Sequence, residues 1–144
     1  MIGIFDDRGI RFEYPLNWEL ELGDDGEGRT TVGLQSTEGL AFAIVRVDEE
    51  RPEPAELVDE ALKAMRVEYS TLDAKPARET IDGRDAVGYD IEFFSLDVPN
   101  ACAIRCFKSA RRTVFVFAQW SELLDEDAGE VFRVLCRSIE ETDS

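Results

Sequence analysis

Between Ile10 and Leu22 apolar and charged residues alternate, and the alternation breaks once, at Pro15-Leu16-Asn17. Ile10, Phe12 and Tyr14, then Trp18, Leu20 and Leu22, fall on one side; Arg11 and Glu13, then Glu19 and Glu21, fall on the other. A period of two is the signature of a strand with one face buried. Proline has no N–H to give to a ladder, so it belongs at a strand end or a turn. The stretch therefore predicts two half-buried strands hinged at Pro15, and it commits the N-terminal part of the chain to a sheet. Nothing in it carries chemistry.

The same logic runs down the chain. Asp24-Asp25-Gly26-Glu27-Gly28 reads as a polar turn, and residues 30–35 should fold back on residues 18–22 as a hairpin. Residues 40–47, opened by Gly39, are apolar on both sides and predict a central strand covered on both faces. An acidic connector over residues 48–53 leads to Pro54, placed where a helix can begin without losing a hydrogen bond. Leu57, Val58, Ala61, Leu62, Met65 and Tyr69 then recur at helical spacing. Pro76 cannot continue that helix, and a strand over about residues 78–81 should end in the hairpin turn Asp82-Gly83.

Three long strands follow, at residues 84–95, 101–108 and 113–120, joined by residues 96–100 and 109–112. A second helix is expected from about residue 122 to 138, burying Leu124, Ala128, Val131, Phe132, Leu135 and Ile139. The tail from about residue 140 should fray. Short connections between strands imply an antiparallel sheet. The expectation is a single α+β domain over residues 1–144, a mostly antiparallel sheet flanked by two main helices. With 144 residues and 44% hydrophobic content, such a domain can bury a core without disulfide or metal staples.

The formal charge of −16 is the main compositional anomaly. It disfavours binding to nucleic acid or an anionic membrane, leaving a basic protein partner or a solubilising surface. The opening Met1-Ile2-Gly3-Ile4-Phe5-Asp6-Asp7 has no basic region before an apolar run, so it does not read as a signal peptide. No window approaches the ~18 apolar residues of a membrane span. A cytoplasmic location is expected, and Cys102, Cys106 and Cys136 are expected as reduced thiols of the core. The oligomeric expectation is a monomer or homodimer.

Catalytic signals are weak. There is no histidine to activate a serine or cysteine. Cys102 and Cys106 lack zinc-site spacing, and neither Asp24-Asp25-Gly26-Glu27 nor Asp125-Glu126-Asp127 follows the calcium-loop pattern. The latter acids should sit in the first turn of the last helix, where they suit its dipole. No catalytic residue, metal ligand or cofactor is assigned. The best constellation lies on the long strands. Gly88, Asp90, Glu92 and Phe94 share a face, and a five-residue connection would set Glu92 opposite or beside Arg105. Arg105 would then lie near Gln119 or Phe117. This gives a polar spot, Glu92, Arg105 and Gln119, ringed by Phe94, Phe107 and Trp120, and it could hold a partner or ligand. The plain alternative is an ordinary cross-strand ion pair on a half-exposed face. Trp18 and Trp120 are expected as core packing, Trp18 as an anchor.

The opening Phe12-x-Tyr14-Pro15-x-x-Trp18 resembles the F-x-Y-P-x-x-W start of PsbP-like domains. The mid-chain helix, Asp82-Gly83-Arg84-Asp85-Ala86 before a long strand, and the C-terminal helix follow the same order. That superfamily includes the extrinsic subunit of the photosynthetic oxygen-evolving complex, a yeast nuclear protein that binds the Ran GTPase, mycobacterial lipoproteins and chaperones of type VI secretion effectors. The resemblance implies an antiparallel sheet flanked by helices, and binding rather than catalysis. It transfers no functional residue, because only the structural motif matches. The functional expectation is a non-enzymatic protein-binding adaptor, such as a small chaperone; the alternative is a small-molecule carrier with a pocket between sheet and helix.

Overall fold

The computed structural model describes residues 1–142. A seven-stranded antiparallel sheet runs in the order β3-β4-β5-β9-β8-β7-β6. Its strands are β3 (Trp18–Asp24), β4 (Arg29–Ser36), β5 (Phe42–Asp48), β6 (Asp73–Ile81), β7 (Arg84–Ser95), β8 (Val98–Lys108) and β9 (Thr113–Ser121). A smaller sheet, in the order β1-β2-β10, joins β1 (Ile2–Asp7), β2 (Ile10–Pro15) and β10 (Glu140–Glu141). Helix α1 (Pro54–Glu68) covers β7, β8 and β9 on one face. Helix α2 (Ala128–Ser138) packs on the opposite face, against β9 and against β2 of the small sheet. The architecture is the α+β, mostly antiparallel arrangement expected.

The break at Pro15 falls between β2 and β3, so the opening motif passes the chain from the small sheet to the large one. Phe12 is fully buried and stacks on Phe5 at 5.1 Å between ring centroids. Trp18 is only partly buried and packs at the margin of this core, so it is not the anchor expected. The core on the α2 side joins both sheets through Phe12, Val32, Val45, Phe107, Val116 and Leu135. The core under α1 is formed by Val58, Leu62 and Met65 against Ile91, Phe93, Cys102, Ile104 and Cys106. Burying each large side chain of this kind stabilises the fold by roughly 1.5–3 kcal/mol.

Several expectations need correction. The first residues, to which the sequence reading assigns no element, form a strand: Gly3 and Phe5 point inward, and the hairpin to β2 turns at Arg8-Gly9, both at positive φ. Strand β5 lies inside the sheet, but of its apolar residues only Ala43, Val45 and Val47 are buried; Phe42 and Ile44 on the other face are partly open because α1 does not extend over it. Strand β6 begins at Asp73 and accommodates Pro76, because β6 is an edge strand and needs no hydrogen bond on its outer side. The turn between β7 and β8 is two residues, Leu96-Asp97, at φ 53° and 64°. It replaces the longer connection expected, and β8 starts at Val98.

Helix α2 begins at Ala128, not near residue 122. The Asp125 carboxylate accepts the N–H of Ser121 at 3.0 Å and that of Leu40 at 3.1 Å, which holds residues 121–127 in turns. Leu124 consequently lies outside the buried stripe, 65% exposed. The acids 125–127 also precede the helix and do not form its first turn. Glu140 and Glu141 do not fray; they pair with β2 as β10. The remaining tail residues, 143 and 144, lie outside the described residues.

Candidate functional site

Helix α2 leaves the β6–β7 part of its face uncovered, and the tight turns at Asp82-Gly83 and Leu96-Asp97 fix which side chains stand there. Asp82 and Gly83 both adopt positive φ, as a two-residue hairpin turn demands. The resulting register sets Gly88 opposite both Ala77 and Arg105. Gly88 allows a close approach of the two backbones, since a Cβ on it would fall 1.7 Å from the Ile104 carbonyl oxygen. The Arg105 side chain lies on this face between two carboxylates. Its Nε donates to Glu79 Oε2 at 2.5 Å, and its Nη2 is 2.9 Å from Asp90 Oδ1. Nη1 donates to the Ile104 carbonyl at 2.9 Å. The guanidinium carbon stands 5.6 Å from the centre of the Phe132 ring on α2, a cation–π contact. Arg105 as a whole is only 8% exposed. Burial disfavours its charge, but the Glu79 hydrogen bond and the Asp90 carboxylate outweigh burial and raise its pKa above the ordinary value.

Around this group lies a cleft of about 480 Å³ between the sheet and α2. Glu79, Asp90, Glu92, Glu122, Trp120 and Arg133 are among its lining residues. Asp90, Glu92, Glu122 and Arg133 are exposed, so the cleft is open to solvent. With Arg105 engaged by Glu79 and Asp90, and with Arg133 and Arg137 of the lining paired with Glu130, the groups left to face a visitor are Glu92, Glu122 and the Trp120 ring. Such a surface suits the cationic and apolar side chains of another protein. Beyond the cleft, Phe94 is 71% exposed and Leu96 is 95% exposed at the tip of the β7–β8 hairpin. Leu96 holds positive φ, a conformation that costs an ordinary L residue energy and is best filled by Asn or Gly. An exposed leucine in that position is unfavourable both in backbone and in hydration.

The structure brings together part of the constellation expected from sequence. Glu92, Arg105 and Trp120 line one cleft, with Phe94 on the same face. Glu92 is not the partner of Arg105: it stands opposite Ala101, because the two-residue turn shifts the register from that expected. The neighbour of Arg105 on β9 is Val116, and neither Gln119 nor Phe117. Gln119 belongs to the other face, whose β8 partner in the ladder is Cys102. Phe107 is fully buried in the core and cannot ring a groove. Sequence reasoning misses Glu79 as a partner: it lies within the strand expected at residues 78–81, but the expected constellation draws only on the three long strands that follow. Gly88 within a long strand was the available signal of a close backbone approach.

Other groups offer little for chemistry. All three cysteines are buried, and burial raises each thiol pKa, that of Cys106 to about 12. Asp25, Glu53 and Glu130 are all displaced downward: Asp25 first by the backbone N–H of Glu27, Glu53 by Lys108 and Glu130 by Arg133. These are salt-bridged surface carboxylates, and a general acid at neutral pH needs the opposite shift.

No protein-family model and no curated protein matches the sequence. Solved structures do. CyanoP, the cyanobacterial PsbP of Synechocystis, superposes with a TM-score of 0.64 at 10% identity, covering 97% of this chain and 92% of that one. The fold is PsbP-like. LpqN of Mycobacterium tuberculosis, described as involved in cell envelope biogenesis, gives a TM-score of 0.60 at 12% identity and covers 99% of this chain and 91% of its own. A Bacteroides thetaiotaomicron protein gives 0.60 at 9% identity, with 94% of this chain covered but only 46% of the other, so this chain spans less than half of that protein. At these identities the likeness is one of PsbP-like architecture, and function has to come from the site.

Proposed function

We propose that this PsbP-like domain is a non-enzymatic binding protein, an adaptor that holds a protein partner on the open β6–β7 face beside α2. The observation that carries this reading is the cleft over Arg105. Its buried cation is already paired, its rim carries Glu92 and Glu122 beside Arg133 and Arg137, which Glu130 already holds, and its Trp120 wall leads to the exposed Phe94 and Leu96 of the hairpin tip. The exposed apolar tip supplies contact area, while the carboxylates select a partner with lysine or arginine beside apolar residues. A carrier for a small molecule calls for an enclosed apolar cavity, whereas this cleft has exposed charged walls, so the adaptor reading is favoured.

The test is capture from the native host at low and high salt, with the unmodified protein and a Glu92→Lys/Trp120→Ala variant side by side. The reading predicts one stoichiometric protein whose retention falls with salt and falls at least about tenfold with the variant. The same protein retained equally by the variant, or no protein retained at low salt, would contradict it.

A further inference from the structure

The large sheet has two edges, and they are built differently. Edge strand β6 carries Pro76 in its middle, with Lys75 and Arg78 nearby. Proline and exposed basic side chains are the usual devices that stop another strand from adding to an edge. Edge strand β3 has neither. It pairs with β4 over seven consecutive residues, Trp18↔Ser36 to Asp24↔Thr30, without a bulge, and among the described residues β4 is its only strand partner. Every second residue of such a strand turns its backbone N–H and C=O outward, where they can pair with a further chain.

The side chains of β3 restrict what that chain can be. Glu19 and Glu21 stand on one face, beside a trough of about 420 Å³ lined also by Gly33, Phe42 and Ile44. Leu20 and Leu22 stand on the other, and Leu22 is partly exposed. There is no Lys or Arg in β3. A second copy adding antiparallel through the same edge would set these glutamates against their own kind, between chains of formal charge −16 each. Lysine or arginine at the matching positions would meet opposite charge.

We propose that β3 is a docking edge for an extended basic segment of a partner protein, which adds to the large sheet as one further strand. Basic residues at alternate positions answer Glu19 and Glu21, and the apolar residues between them extend the row of Leu20 and Leu22. This edge is separate from the Arg105 cleft and stands or falls independently of it.

The test uses three synthetic ten-residue peptides with the full-length protein: alternating lysine and valine, alternating glutamate and valine, and a lysine–valine peptide of the same composition in blocks. Binding is followed by amide chemical shifts and hydrogen exchange. The proposal predicts that the alternating lysine–valine peptide shifts the amides of residues 18–24 and slows exchange at alternate positions. The Glu19→Lys/Glu21→Lys variant, folded by its thermal transition, should bind it about tenfold more weakly and gain affinity for the glutamate–valine peptide. Equal binding of the block peptide, shifts confined to the Arg105 cleft, or an affinity indifferent to the charge reversal would overturn the proposal. So would a dimer formed through β3 in sedimentation.

Discussion

Glu141 lies two residues beyond Ile139, in a segment that reads as an acidic tail, yet its side chain is a structural hub. Its carboxylate is 3.1 Å from Arg112 Nη1 and 3.7 Å from Arg84 Nη2, and it also accepts the Ser109 hydroxyl. Arg112 is buried and donates to the Gly9 carbonyl at 3.0 Å, so the group ties β10 to the β1–β2 turn and to the β8–β9 loop. Removing one partner of a buried ion pair leaves an uncompensated charge. Glu141→Ala should therefore cost about 3–5 kcal/mol in urea denaturation, whereas Glu140→Ala, at an exposed neighbour, should stay within about 0.5 kcal/mol. Arg105→Ala loses a buried hydrogen-bonding cation, but Glu79 and Asp90 are exposed enough to rehydrate. Its expected cost is about 1–3 kcal/mol, where the surface-pair reading expected almost none. The buried thiols add a pH dependence. The Cys106 thiol ionises near 9.0 when unfolded and at about 12 when folded. Above pH 9 the unfolded chain therefore loses this proton first. The stabilisation is complete below pH 9 and declines as the pH climbs toward 12. A denaturation series from pH 8 to 11 should show stability falling at the alkaline end, and Cys106→Ala should make that fall shallower, with Cys102 and Cys136 contributing the rest.

At the scale of elements, strands and helices were largely legible because period two and period 3.6 both survive in this chain. The hairpin at Asp82-Gly83, helix α1 with Pro54 at its start, and the β3–β4 pairing all follow from local chemistry. The misreadings have particular causes. The sequence pattern extends α2 backward because Leu124 falls in phase with its stripe, whereas the decisive interaction is Asp125 with Leu40, 85 residues away. The sequence suggests a five-residue β7–β8 connection because Leu96-Asp97 lacks the Asn-Gly chemistry of a tight turn and Pro99 suits a loop. That error moved Glu92 opposite Arg105 and hid Asp90 and Glu79. The same turn yields a prediction. Replacing Leu96-Asp97 with Asn-Gly supplies residues suited to positive φ and should raise stability by about 0.4–1 kcal/mol in thermal or urea unfolding. If the exposed leucine serves partner binding, that more stable variant should bind less well. Trp18→Ala is expected to cost about 2 kcal/mol, below the ~3–5 kcal/mol of a fully buried aromatic, because Trp18 lies at the core margin.

At the scale of the whole molecule, two helices cover unequal parts of one seven-stranded sheet. Helix α1 closes one face over β7–β9, and α2 with the small sheet closes the opposite face toward β3–β5. What remains open is the β6–β7 face beside α2, and the cleft there is lined by three arginines, four carboxylates and a tryptophan. The PsbP-like fold thus accounts for the scaffold, while the acidic composition and the open face give the adaptor reading its content. The most direct measurement is a hydrogen-exchange footprint of the complex with the captured partner. The account predicts protection at Asp90, Glu92, Trp120 and the Leu96 turn, with the face under α1 unchanged. Protection confined to α1 and its side of the sheet, with the Arg105 cleft still exchanging as in the free protein, would contradict it.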